Sequence, residues 1–172
     1  KMEKPQRKVR ITGRGRCNLT NMRSMAEFLS HVHESPEFVE EALRGFSNED
    51  AYAFFKRIGV PLAVERGDRV FPVSGKAWDV AEAHIRWCRK QGVVIECGVR
   101  VVEICAEHGH VTGVLTENKQ GKSEHLAASR VILATGGVSY PATGSTGDGY
   151  LLAHRLGHTI VEVRPSLTPL ET

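Results

Sequence analysis

Arg130-Val131-Ile132-Leu133-Ala134-Thr135-Gly136-Gly137 decides how this chain is read. Four apolar residues in succession, with no polar alternation, describe a strand covered on both faces. Glycines directly after such a strand put bare backbone at the carboxyl edge of a sheet, where α/β proteins bind ligands. The segment continues to Gly147-Asp148-Gly149, so that five glycines fall within the 14 residues 136–149. The last of these open a helix, and a helix's first N–H groups lack intrahelical partners and can meet an anion or a hydroxyl. Asp148 alone would also serve as an ordinary helix cap. The glycine density favours a bound cofactor.

The segments upstream complete an α/β pattern. Residues 76–91 read as a helix, because Ala77, Ala81, His84, Ile85 and Cys88 recur every three or four positions. Gly92 ends it, and Val93-Val94-Ile95-Glu96 begins a strand. Further extended runs are expected at 100–106, 111–117 and 130–134, with turns at His108-Gly109-His110 and 118–122. A mainly helical section covers 25–58, broken near Ser35-Pro36 and Gly45. Ser35 is placed to cap a helix with Pro36 at its first position, and Ser47 with Asp50 forms a capping box. Gly59 follows as a stop. Residues 60–73 read as a hairpin turning at Gly67-Asp68. A last helix spans 147–156, and 159–163 is again strand-like.

Composition excludes several classes. Apolar residues make up 41% and charged residues 25% of 172, ordinary values for a globular protein. No apolar run approaches the roughly 20 residues of a membrane helix, and the start has no signal-peptide core. Four cysteines (Cys17, Cys88, Cys97, Cys105) lack zinc-site spacing and read as buried thiols in a reducing, cytoplasmic setting. No metal is expected. His31-x-His33 and His108-x-His110 read as solvated or capping histidines, and Glu40-Glu41 as a solvated helix face. Trp78 and Trp87 lie nine apart, off one helix face, so at least one belongs to the core. No G-x-S-x-G elbow supports acyl transfer.

A second glycine-rich segment, Thr12-Gly13-Arg14-Gly15-Arg16-Cys17-Asn18, precedes Leu19-Thr20-Asn21. Its glycines permit left-handed backbone and close approach to a ligand, and its arginines add positive charge. An ordinary polar turn explains the spacing equally well. The segment lacks the Gly-Lys-Ser/Thr ending of a P-loop. Residues 1–16 carry six net positive charges, leaving the remainder at −3. That asymmetry also suits a basic arm on nucleic acid, but no aromatic lies among residues 1–16 to stack bases. Arg69, Phe71 and Ser74 would border a substrate pocket or simply pack a hairpin.

RVILATGG (130–137) resembles the Ala-Thr-Gly segment of two-dinucleotide-binding-domain flavoproteins, and TGSTGDG (143–149) resembles a stretch of fumarate-reductase-type relatives. ITGRGRCNLTN (11–21), RVFPVSGKAWDV (69–80) and ATGGVSYPATGSTGDGYLLAHRLGH (134–158) together are similar to the BaiN-like flavoproteins. These include aminoacetone-oxidase-type and bile-acid-reductase-like enzymes, and the resemblance covers nearly the whole chain. It implies FAD as cofactor, NAD(P)H as electron donor, a small-molecule substrate and hydride transfer at the flavin.

By the same resemblance Gly13, Gly15, Arg16, Cys17 and Asn18 would lie beside the flavin, with Lys8 and Thr12 nearby on the dinucleotide. Val101 would offer backbone groups to the adenine. Ala134, Thr135, Gly136 and Gly137 would pass under the pyrophosphate and ribose, and Gly147 and Asp148 would approach the ribityl chain or ring. No catalytic acid or base is identified. The family opens with a strand, a G-x-G-x-x-G turn, a helix and a second strand, and no counterpart precedes Lys1. The expectation is therefore an internal piece of 1–172: a partial Rossmann-like FAD-binding domain with a helical insertion (25–91) and a β-meander with the glycine strand and helix (93–163), lacking the first βαβ unit. Residues 164–172 would begin a linker to a second domain. The alternatives are a non-catalytic fragment and a basic nucleic-acid module. Membrane and nucleic acid are not expected as partners, and no residue specifies an oligomeric state.

Overall fold

The computed structural model describes residues 1–32 and 35–164. The chain divides into two compact units, Lys4–Glu96 and a second made of Lys1–Glu3 with the described part of Cys97–Thr172. The boundary lies at Glu96/Cys97. His33 and the proposed linker residues 165–172 lie outside the described residues.

Lys4–Glu96 begins with 3-10 turns at Val9–Gly15 and β1 (Thr20–Asn21). Helices α1 (Met25–Leu29), α2 (Pro36–Gly45) and α3 (Asn48–Arg57) follow, then β2 (Leu62–Glu65), β3 (Arg69–Pro72) and α4 (Ala77–Lys90). The predicted helical stretch is thus three helices, broken where the sequence indicates. Ser24 caps α1, its hydroxyl accepting the Glu27 N–H. At α3 the Ser47 hydroxyl accepts the Asp50 N–H while the Asp50 carboxylate accepts the Ser47 N–H at 2.8 Å. Ser35 departs from expectation. Its backbone is left-handed (φ 50°), whereas a capping residue takes extended backbone, and no cap bond forms. Gly59, with φ 90°, ends α3: its N–H bonds Lys56 O and the Val60 N–H bonds Phe55 O, each at 3.0 Å.

The hairpin β2–β3 pairs Val64 with Val70 and Ala63 with Phe71, and β1 joins the other edge of β3. The core combines Cys17, Val60, Ala77, Val80 and Ala83, with Val9, Leu19, Phe55, Ile58 and Leu62 packed against it. Fully burying side chains such as Val70 and Val80 contributes roughly 1.5–3 kcal/mol each. Trp87 packs edge-on to Phe54 at 4.9 Å but is only partly buried, and Trp78 is half-exposed. Neither tryptophan is among the buried residues of α4, which are Ala77, Val80, Ala81, Ala83 and Ile85. Residues 93–96 join no ladder, and Val94 is exposed.

The second unit is a meander, β4 (Arg100–Glu107), β5 (His110–Glu117) and β6 (Ser123–Ala127), followed by α5 (Asp148–Arg155). Both pairings are antiparallel, with β5 central. Two of the expected strands are therefore found. The third is Ser123–Ala127, whose residues are all exposed and show no alternation. Residues 130–134 form no strand: Ile132 is 92% exposed and Leu133 40%. A strand requires neighbours for its N–H and C=O groups, and no described strand pairs with this run. Residues 159–163 are likewise unpaired, with Val161 exposed. The α/β class stands, as two three-stranded antiparallel sheets with helices. Of the cysteines, only Cys17 is buried; Cys97 is exposed and all four are free. No described helix is long and apolar enough to cross a membrane.

Candidate cofactor site

The loop Thr12–Asn18 is built by backbone that departs from helical geometry. Gly13 (φ 55°) and Arg14 (φ 56°) are left-handed and exposed, and Gly15 and Cys17 also have positive φ. The loop closes on itself through Cys17 N–H to Thr12 O at 3.0 Å and Arg16 N–H to Gly13 O at 3.1 Å. A Cβ at Gly13 would lie 2.8 Å from the Asn18 backbone nitrogen, so the turn is closed to any side chain there.

The Cys17 side chain inserts into the core. Burial raises its thiol pKa, opposed by a hydrogen bond with Thr12. This thiol stays protonated at neutral pH and is an anchor for the loop, not a nucleophile. Leu19 N–H to Val70 O (2.8 Å) ties the loop's exit to the hairpin. Arg16 stacks over Phe71 at 4.3 Å and pairs with Glu65. Arg10 pairs with Glu82 of α4 at 2.7 Å. The Gln6 amide donates to His84 Nδ1 at 2.7 Å, consistent with a ring kept neutral by burial, which lowers its pKa. Lys8, Thr12, Gly13, Gly15, Arg16, Cys17 and Asn18 therefore belong to one loop braced by β3 and α4. Phe71 is buried beneath Arg16, which leaves Arg69 and Ser74 as the exposed members of the hairpin set.

In the other unit, residues 134–137 meet the start of α5. A Cβ on Gly149 would overlap the Thr135 hydroxyl, and one on Gly136 would lie 3.3 Å from Ser145 Oγ. Gly147, not Asp148, is the N-cap of α5, and no side chain caps that end. Asp148 is thus not the ordinary cap that its position allowed. Its carboxylate accepts from Thr146 Oγ1 at 2.7 Å and pairs with Lys1 Nζ at 3.0 Å and Arg100 Nε at 3.2 Å.

The Thr146 hydrogen bond, then the charges of Lys1 and Arg100, outweigh desolvation and hold the Asp148 pKa down to about 2. Stability from a depressed carboxylate pKa is present above its ordinary value of 3.8 and lost as pH falls through the folded value. Unfolding midpoints measured from pH 5 to 2 should therefore fall more steeply for the native chain than for Asp148→Asn. Parallel curves would show that the carboxylate contributes nothing there.

Val101 and Asp148 line one shallow cavity of about 190 Å³, together with Arg100, Leu151 and Arg155. Arg155 also donates to Val102 O at 3.0 Å. Sequence reasoning missed Arg100 and Arg155. The first looked like a strand's leading residue, and a basic residue in a helix's last turn is explained by the helix dipole alone. Ser145, buried against the glycine turn, was also missed; it had only its place between Gly144 and Gly147 to mark it.

The family model described as the HI0933-like protein Rossmann domain matches residues 1–165. The chain belongs to this family. Among curated relatives it is 36% identical to a 3-dehydro-bile acid delta(4,6)-reductase of Clostridium scindens, over 96% of this chain and 38% of that protein. It is also similar to ribosomal RNA dihydrouridine synthases, at 31% identity in Haemophilus influenzae and 26% in Escherichia coli. These matches cover 95% and 97% of this chain and 39% and 40% of the relatives. The chain spans about two fifths of the length of each. The match to the HI0933-like family agrees with the BaiN-like resemblance carried by the glycine motifs.

Proposed function

We propose that this protein is an FAD-dependent oxidoreductase whose α5 turn presents backbone to the cofactor. The observation that carries this reading is the packing at Gly136 and Gly149, where Ser145 and Thr135 leave no room for side chains. Such a cradle puts main-chain N–H groups at the start of α5 within reach of phosphate or ribityl oxygens. The residues present fit the group. Thr135, Gly136 and Gly147 would hold it through backbone and Val101 through strand-edge groups; the left-handed loop Gly13–Asn18 is a separate candidate contact, carried by the family resemblance.

When bound, FAD supplies the two-electron chemistry. The chain's own residues do the holding. Asp148, kept ionised by Thr146 and its basic neighbours, is an acceptor for hydroxyl groups but not a proton donor at neutral pH. The Cys17 thiol, buried and neutral, fixes the loop.

The two relatives' names suggest a shared substrate class. One names the reduction of ring double bonds in a 3-dehydro-bile acid and the other the formation of dihydrouridine in RNA. A 3-dehydro-bile acid with delta(4,6) unsaturation and a uridine both carry a ring carbon–carbon double bond conjugated with a carbonyl. The proposed reaction breaks the carbon–carbon π bond, adding hydride drawn ultimately from NAD(P)H to the β carbon and a proton drawn from solvent to the α carbon.

Purified chain incubated with FAD and desalted should keep the two-banded visible absorption of oxidised flavin, and NADPH or NADH under nitrogen should bleach it. Protein that emerges colourless at every FAD concentration would sink the cofactor reading. Flavin that is retained but never bleached would sink the nicotinamide donor alone.

A further inference from the structure

A cleft of about 500 Å³ lies in the Lys4–Glu96 unit, between the hairpin and the exposed side of α4. This is within the usual range for small-molecule sites. It is separate from the glycine turn at α5. Pro61 and Val73 form apolar walls, Trp78 an aromatic one, and Ser74, Asp79 and Arg86 contribute polar groups.

Trp78 is held in place from behind. The Arg10 guanidinium sits 3.8 Å from the indole centroid while its Nη2 donates to Glu82 at 2.7 Å. Arg10 Nε and Nη1 are buried without a hydrogen-bond partner among the described residues, leaving the electron-rich indole as compensation. One indole face is thereby occupied, yet the side chain remains 52% exposed. A large aromatic fixed on one side and open on the other is a stacking platform.

The charges favour a particular ligand. Glu82 is neutralised by Arg10, so Asp79 and Arg86 are the charged groups of the cleft without an ion pair among the described residues. Trp78 and Arg86 are eight residues apart on one helix, about 12 Å along its axis, and the side chain of a helical residue leans back towards the N-terminus. That span suits a flat base on Trp78 and a phosphate on Arg86. Asp79, next to the indole, would accept from a base's exocyclic amine, and Arg86 would bind phosphate through its planar fork.

We propose that this cleft binds a nucleoside monophosphate unit bearing an amino-substituted base, apart from the glycine-turn site. The source could be a free nucleotide or the end of an RNA strand, since both present the same base and phosphate.

Isothermal titration of the full chain with AMP, adenosine and a 5′-phosphorylated pentaribonucleotide tests this, each run with and without saturating FAD. AMP should bind saturably in both conditions. Trp78→Ala should weaken AMP and adenosine binding alike, by about tenfold or more, because the base loses its stacking surface. Arg86→Ala, on the exposed helix face, should weaken AMP about tenfold and adenosine less than twofold. Trp78→Phe should keep most of the affinity, which separates stacking from a folding defect. An oligonucleotide that binds much more tightly than AMP assigns the source to RNA; equal affinity assigns it to the free nucleotide. AMP that fails to saturate, competes with FAD, or binds both alanine variants unchanged overturns the proposal. These outcomes are separate from flavin retention, so failure here leaves the FAD reading standing and the reverse also holds.

Discussion

Gly13→Val should leave the hairpin and α4 folded while lowering FAD affinity about 100-fold. Two costs coincide at this residue. Its φ of 55° places a branched side chain in the left-handed region, a penalty of roughly 1–2 kcal/mol. The added Cβ would also sit 2.8 Å from the Asn18 backbone nitrogen, which cannot move without opening the Cys17–Thr12 closure. Together these approach about 3 kcal/mol, or some two orders of magnitude in a binding constant. The loop can relieve them by opening outward between its anchors in the core, Val9 before it and Cys17 and Leu19 at its far end. The loss should therefore fall on the cofactor more than on the fold. Flavin fluorescence titration, with circular dichroism as the folding control, reads both quantities. Gly15→Ala is the comparison, because a Cβ there meets nothing within 4 Å and carries only the backbone penalty. Unchanged FAD affinity in Gly13→Val would remove the loop from the site.

Gly113→Ala should be the more damaging change to stability. Gly113 lies in the central strand of the meander, opposite Cys105 on one side and Ala127 on the other. A Cβ there would overlap the Leu126 carbonyl oxygen and come within 2.8 Å of the His125 ring. The ring can rotate away; the carbonyl belongs to the β5–β6 ladder and cannot. Relief requires β6 to separate, so the cost should reach the upper end of the roughly 1–3 kcal/mol seen for overpacking. For a unit of this size that lowers the midpoint by about 10 °C or more. Gly45→Ala, at the end of α2 with open space around it, should be neutral or slightly stabilising. Calorimetry on the three proteins tests the ranking, and a Gly113→Ala midpoint within a degree of the native one would refute it.

Both predictions concern glycines, and they show different things about what the residues announce. Gly13 stands in a motif, so its importance was legible, although the contact with Asn18 that enforces it was not. Gly113 stands in an ordinary strand, Val111-Thr112-Gly113-Val114-Leu115, and nothing there marked it. Its constraint comes from Leu126, a residue of a strand that sequence periodicity did not reveal. A cross-strand neighbour thirteen positions away leaves no local signal.

Local chemistry determined the helices and their ends. The Ser47–Asp50 box, the Gly59 stop, the span of α4 and the Gly67-Asp68 hairpin depend on interactions within a few residues, which the sequence states directly. The two glycine segments were also legible, because a need for backbone without side chains restricts residue type. Tertiary structure decided the rest. Val131–Ala134 has the composition of a buried strand, yet Ile132 is exposed because pairing depends on a neighbour that composition cannot supply. Whether Asp148 capped a helix or held an ion-pair cluster depended on Lys1 and Arg100, 147 and 48 residues away in sequence. The glycine-ended strand was thus a reading of pattern alone, and the actual conformation of 130–137 came from its surroundings.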